Sequence, residues 1–311
     1  MANLLSFDER GFQFAWDATS VSAFQTCPRK YYYGNLQGWQ PVYKSVHLVF
    51  GGHYASALEN YHKKRADGQS HDDAEREVVH ETLIASWEYD LDGDGNPIAG
   101  TGQPWESFHN SKTRDTLIRS IVWYLEEFID DPMQTHILSD GRAGVEYSFS
   151  LPMHEDIIYC GHIDRLVEYN GYYVQDQKTT GTTVTGKFFD DFSPDNQMSG
   201  YSWAGKIIFD VPVSGVVIDA AQIAVGFTRY SRGFVNRSPK ILDEWMHNTL
   251  ETIEEARKAH AENFYRQNFT ACGNYGGCAF RKICSRLPEH RAGIFEAEFT
   301  RREAWDPLER R

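Results

Sequence analysis

The stretch GHIDRLVEYNGYYVQDQKTTG, Gly161 to Gly181, decides how this chain is read. Apolar and polar residues alternate along it, the period of a strand with one buried face. Asn170-Gly171 breaks the alternation and marks a hairpin. In the second strand Asp176 and Lys178 stand two apart, so both point to one face. Whether Asp164 in the first strand joins them depends on the turn. A two-residue turn pairs Tyr169 with Tyr172 and sets Asp176 against Arg165. A three-residue loop, 169–171 with Gly171 left-handed, sets Asp164 opposite Asp176. Two facing carboxylates can hold Mg²⁺ or Mn²⁺, hard cations that prefer oxygen. A lysine beside them can orient a water and stabilise charge on a phosphate. That reading requires the three-residue loop, or a bulge with the same effect. The competing reading is surface charge, with Asp164 paired to Arg165 or Lys178, because Asp-x-Lys alone is common by chance.

The flanks extend the pattern. GVEYSFSL (144–151) and CGHIDRLVEY (160–169) read as strands before the turn. SPDNQMSGYSWAGKIIF (193–209) reads as a helix, and SGVVIDAAQIAVGFTRY (214–230) as one or two strands. Ser238-Pro239 opens a helix with a capping serine and a proline in the first turn. Leu242, Trp245, Met246, Leu250 and Ile253 line its face. Upstream, Ser20 or Ser22 can cap a short helix. From about 53 to 131 the period is helical, with Tyr54, Ala57, Leu58 and Tyr61, then Leu117, Ile118, Ile121, Leu125 and Phe128, before Pro132 stops the run. Residues 92–104 read as a loop on glycine and proline content.

Composition sets the outer bounds. With 311 residues, 41% of them hydrophobic, the chain can bury a large core. No apolar run reaches membrane-spanning length, and the start MANLLSFDERGF lacks a signal-peptide shape, so a cytoplasmic protein is expected. The net charge of −13 argues against non-specific coating of nucleic acid but leaves a local groove open.

In order and spacing, these pieces resemble the PD-(D/E)XK nuclease superfamily, in particular its RecB-like exonuclease branch. That branch shows Gly-x-x-Asp-Arg, a hairpin, then Asp-x-Lys-Thr. Gly161, Asp164, Arg165, Asp176, Lys178 and Thr179 occupy those places. Gln197 and Tyr201 match its Gln-x-x-x-Tyr helix motif, one turn apart. His53 in FGGHYASALENY matches its early-helix histidine, and Glu146 the glutamate of its preceding strand. The resemblance implies an α/β restriction-endonuclease-like fold: a mixed central sheet flanked by helices, with a helical insertion. Asp164 and Asp176 would ligate the metal with His53. Glu146 would bind a metal or its water, and Lys178 would position the attacking water. Gln197 and Tyr201 would contact the nucleic-acid backbone or order the site.

Cys272, Cys278 and Cys284 are spaced C-x5-C-x5-C, unlike the close pairs of zinc sites. A fourth thiolate would have to be remote. Cys27 in SVSAFQTCPRKYYY is the candidate, since Cys160 reads as core. Many members of the RecB-like branch staple their C-terminus to an early helix in this way through a [4Fe–4S] cluster. The late spacing departs from the commonest form, and reduced cysteines or a zinc staple are the alternatives. Arg29, Lys30, Arg281, Lys282 and Arg286 flank these positions and could form a basic rim. GTTVTGKF (181–188) imitates a phosphate-binding loop but ends in Phe188 where Ser or Thr is needed. DLDGDGNP from Asp90 imitates a calcium loop but has Thr101 at its twelfth position.

The expectation is one integrated nuclease domain. It comprises an N-terminal segment (1–52), a helical part (53–131), a core (132–268) and a cysteine-bearing tail (269–311). The family implies a Mg²⁺- or Mn²⁺-dependent DNA exonuclease of phage or bacterial recombination or repair. No helicase motif is present, so unwinding would come from a helicase or recombination partner, and an oligomer is open. A non-catalytic DNA-binding or assembly subunit on the same fold is the alternative.

Overall fold

The computed structural model describes residues 6–43, 45–90, 98–302 and 305–308. Most of the calcium-loop imitation lies outside them. Seven strands form one sheet: β1 (Ala15–Trp16), β2 (Gln134–Thr135), β3 (Val145–His154), β4 (Ile157–Glu168), β5 (Tyr172–Thr180), β6 (Val213–Ile223) and β7 (Thr228–Val235). β3, β4 and β5 run antiparallel as a meander. β5 and β6 are parallel, so the chain must cross over between them, and it does so through a helix. β7 returns antiparallel to β6, β1 lies parallel to β4, and β2 pairs antiparallel with the end of β4. β6 is buried along almost its whole length, as a parallel strand covered on both faces should be.

The longer helices are α1 (Ala18–Thr26), α2 (Val46–Ala66), α3 (His71–Ala85), α4 (Arg114–Glu127), α5 (Asn196–Ile208), α6 (Pro239–Ala261) and α7 (Arg291–Glu298). The cap of α1 is Asp17, not a serine. Its carboxylate accepts from Ser20 N at 2.8 Å and from the Ser20 hydroxyl at 2.6 Å, satisfying a first-turn amide that has no helical partner. α2 begins at Val46, upstream of the expected start, because Val46, Val49 and Phe50 continue its apolar stripe. Thr113 and Thr116 cap α4 reciprocally. Asp195 caps α5 through Met198 N at 2.8 Å. Ser238 caps α6 with Pro239 at its start, as the sequence suggested.

These helices cover the sheet on two sides. Phe50, Tyr54 and Leu58 of α2, Val78 of α3 and Leu117 and Ile121 of α4 pack with Ala221 and Ile223 of β6. Met198, Tyr201 and Ala204 of α5 and Trp245 of α6 pack with Tyr159, Ile163, Leu166, Val174 and Ile218. The result is a mixed central sheet flanked by helices. At a far corner a short strand Trp39–Pro41 pairs with Phe299–Arg301. Tyr33, Phe280, Ile283 and Phe295 fill the space beneath it. Apolar packing therefore brings the two ends of the chain together. Among the described residues no helix is long and apolar enough to cross a membrane.

Candidate active site

The hairpin register sets the site. Glu168 pairs with Tyr172 and Arg165 with Gln175, so the loop has three residues, 169–171. Asn170 takes the left-handed conformation at φ 48°, while Gly171 sits at φ 145°, a correction to the expectation for Gly171 alone. Asn tolerates that region better than most residues. Continued one step, this register puts Asp164 level with Asp176. There the ladder stops, because β4 and β5 part. The Asp164 carboxylate fills the gap and accepts from Gln177 N at 2.9 Å. Residues facing α5 are odd-numbered before this point (Tyr159, Ile163) and even-numbered after it (Leu166), so the alternation of β4 breaks at Asp164. On β3, Val145 pairs with Arg165 and Tyr147 with Ile163. Glu146 therefore stands level with Asp164, and its backbone is left-handed at φ 49°. Three carboxylates from three neighbouring strands stand level where two strands are distorted.

Their electrostatics follow from burial. Asp176 is almost wholly buried. Its Oδ2 lies 2.5 Å from the Lys178 Nζ in an ion pair but receives no well-directed hydrogen bond. Burial raises the pKa of both aspartates. Asp176 raises that of Asp164 further, and Lys178 opposes both shifts. Burial works against the Lys178 ammonium, yet Asp176 and Asp164 outweigh it and hold the lysine protonated. Glu146 is pushed up to about 7 by burial and by Glu59, against the pull of Lys63. A buried carboxylate beside another carboxylate is favourable when a cation neutralises both. Oxygen donors from Asp164, Asp176 and Glu146 are the right set for Mg²⁺ or Mn²⁺.

α5 supplies the next layer. Lys178 Nζ donates to Gln197 Oε1 at 3.0 Å, and Gln197 Nε2 donates to the Tyr201 hydroxyl at 3.1 Å. That hydroxyl donates to the His162 carbonyl at 2.5 Å. Gly161 makes the approach possible, since a Cβ there would stand 3.0 Å from the Phe149 ring and 3.8 Å from Tyr201. Gln197 and Tyr201 thus tie Lys178 to β4.

His53 is placed differently. It lies on α2, near the Trp105 ring at 6.3 Å, and burial lowers its pKa. It lines a groove of about 950 Å³ that runs past Leu48 and Tyr43 to Lys30. Among the described residues, His53, Glu146, Asp164 and Asp176 do not supply three ligand atoms within 4.8 Å of one another. α2 does reach the site's edge, where a Cβ on Gly51 would lie 3.6 Å from Thr179 Oγ1.

The cysteines gather in one corner without closing on a point. Asn268 N donates to Cys27 Sγ at 3.4 Å, and Cys272 Sγ to Asn268 O at 3.8 Å. Burial raises the Cys278 thiol, and Cys27 and Cys272 are near enough to add to the shift. Cys278 and Cys284 pack at the edge of the Phe280 cluster. No three of these sulfurs lie within 4.8 Å of one another, so they are not arranged around a single ion. Cys160 is core, with its thiol 3.4 Å from Trp16 O.

Sequence reasoning missed the opposite face of the same strands. Arg165 Nη1 donates to Gln175 Oε1 at 3.0 Å, and Gln175 Nε2 to Asp219 Oδ2 at 2.8 Å. Asp219 Oδ2 also accepts from Arg232 Nε at 3.1 Å and Tyr124 at 2.6 Å. Arg232 continues to Asp131 at 2.7 Å. This polar chain crosses β4, β5, β6 and β7, one residue away from Asp164 and from Asp176. The available signal was Asp219, a lone acid inside the apolar run VVIDAAQI.

No curated protein matches this chain. A crystal structure described as "Putative exonuclease" from Eubacterium rectale is similar at 12% identity, with a TM-score of 0.48, over 85% of this chain and 86% of that one. The profile of one family matches residues 15–285, from β1 through the last cysteine. That span takes in the distorted strands, the carboxylates and the helix that ties them, and the chain belongs to the PD-(D/E)XK nuclease superfamily.

Proposed function

We propose that this chain is a Mg²⁺- or Mn²⁺-dependent deoxyribonuclease that works as an exonuclease. One observation carries the reading: Asp164 and Asp176 come level where β4 and β5 part, with Lys178 ion-paired to Asp176. The buried Asp176 Oδ2 lies against the Lys178 ammonium, so a bound cation would share that carboxylate with the lysine. Asp164 and Asp176 would hold the metal, with Glu146 binding it or its water and His53 a further ligand. When bound, the cation polarises the phosphate and lowers the pKa of water.

The chain's own residues do the rest. Lys178, held by Gln197, fixes the attacking water in line with the scissile phosphate and balances the charge that develops there. Tyr201 keeps Gln197 in place. The groove from Lys30 past Leu48 to His53 offers a path for a DNA strand. A [4Fe–4S] cluster on Cys27, Cys272, Cys278 and Cys284 would clamp the two ends. A role in phage or bacterial recombination or repair, beside a helicase, completes the proposal.

The test is digestion of end-labelled single- and double-stranded DNA with each divalent cation, by wild type and by Asp176→Ala. Stepwise release of end label by wild type alone is expected. Equal activity in both proteins, or none in either, removes the catalytic assignment.

A further inference from the structure

His71 opens α3 and Glu75 follows one turn later, while Glu126 stands in the last turn of α4. One ligand atom from each of these three residues lies within 4.8 Å of the other two. Among the described residues they are the only such group. The His71 side chain is 10% exposed, and Glu75 is 18% exposed. Tyr61 of α2 holds the ring from behind, its hydroxyl 2.9 Å from Nδ1. Nε2 then faces the two glutamates. It is buried and has no hydrogen-bond partner, although Glu75 Oε2 lies 3.5 Å away.

The charge around this nitrogen is unbalanced. Among the described residues, neither Glu75 nor Glu126 is ion-paired with a lysine or arginine. Glu126 and Glu127 close α4 with no basic residue in its last turn, the reverse of what a helix C-terminus favours. Burial and Glu126 both make charge on Glu75 unfavourable. A cation would relieve each of these at once.

We infer that His71, Glu75 and Glu126 form a divalent transition-metal site, with Zn²⁺ as the ion that fits it best. Zinc takes imidazole nitrogen and carboxylate oxygen at about 2.0–2.2 Å, so neighbouring ligands of a tetrahedral ion stand roughly 3.3 Å apart. The 3.5 Å between Nε2 and Glu75 is close to that edge, and the exposed Glu126 can rotate inward. Water would fill the fourth position. Tyr61 supplies the second contact by which ligating histidines are oriented. The ion would tie α3 to α4 and, through Tyr61, to α2. It would brace the helical layer rather than take part in hydrolysis, and the inference stands apart from the nuclease reading.

The test titrates metal-depleted, full-length protein with Co²⁺ and follows its visible absorption, then adds Zn²⁺ as competitor. Wild type and Asp176→Ala are expected to share one bound equivalent with nitrogen–oxygen ligand-field bands, free of thiolate charge transfer and displaced by Zn²⁺. Glu126→Gln should bind that equivalent at least ~10-fold more weakly, the least that loss of even a supporting contact removes. Zn²⁺ should raise the thermal midpoint of wild type more than that of Glu126→Gln. His71→Gln should behave as Glu126→Gln does. Equal cobalt stoichiometry and affinity in wild type and both variants would overturn the site. So would bound cobalt that shows only thiolate bands or vanishes in Asp176→Ala.

Discussion

Gln175→Leu tests whether the face behind the site controls it. Gln175 is fully buried and sits between two charged partners, accepting from Arg165 and donating to Asp219. Leucine has nearly the same volume and can do neither. Each hydrogen bond to a charged group contributes about 1.5–3 kcal/mol, so the two together are worth about 3–6 kcal/mol. The partners are not stranded. Arg165 keeps Thr135 and Met133, and Asp219 keeps Tyr124 and Arg232. Added apolar burial returns roughly 1–2 kcal/mol. A net loss of about 1–5 kcal/mol is expected, against a typical total of about 5–15 kcal/mol.

Urea unfolding should show a lower midpoint with an unchanged slope, since the surface exposed on unfolding is the same. Activity separates stability from positioning. Gln175 precedes Asp176, and its partner Arg165 follows Asp164. Freed from the polar chain, β4 and β5 can shift against each other where they already part. A displacement near 1 Å at the reacting centre can cost on the order of 100-fold. Measured where both proteins are folded, kcat should fall 10- to 100-fold, within that bound, while KM for DNA stays put. A variant within 0.5 kcal/mol of wild type would refute the energetic argument. A destabilised variant with wild-type kcat would refute the positioning argument alone.

Other perturbations probe separate features. Lys112 is buried, its Nζ has no acceptor, and it lies 4.2 Å over the Phe50 ring. Burial lowers its pKa to about 8, whereas the unfolded chain holds that proton to about 10.4. The unfolded state therefore binds more protons across that window, and stability should rise with pH through it. Lys112→Met should stabilise by about 1–3 kcal/mol at pH 7 after loss of the cation–π contact. The gain should vanish near pH 10 in chemical unfolding, and a gain that ignores pH would refute the cause. Glu146→Gly should raise stability by about 1 kcal/mol, because glycine relieves the left-handed backbone, and should abolish hydrolysis; a loss of stability would contradict the strain. Protein purified without oxygen should be brown and carry iron, and Cys27→Ala should be pale. Colourless wild type with stoichiometric zinc would replace the cluster with a zinc staple.

What the sequence disclosed depended on whether the signal was local. Strand period, the turn at Asn170-Gly171, the capping serine before Pro239 and the helix carrying Gln197 and Tyr201 are each written within a few residues, and they can be read. The cap of α1 was misassigned because Asp17 and Ser20 are both good capping residues, and only backbone geometry decides which amide is met. The start of α2 was placed late because its first apolar residues face neighbours the sequence does not name. Asp164 was legible only as one of two registers. The choice between them rests on the loop, where Asn170 is left-handed and Glu168 pairs with Tyr172. The chain from Arg165 to Asp131 draws on four strands and the segment before β2, so no local window contains it. His71, Glu75 and Glu126 were hidden for the same reason, because two come from one helix and the third arrives from another. The placement of the candidate residues was thus legible wherever one hairpin supplied it, and concealed wherever tertiary packing assembled it. Asp176 belongs to both classes. Its place beside Lys178 is local, but its alignment with Asp164 depends on the polar chain one residue behind it, which is why a substitution at Gln175 should reach the reaction.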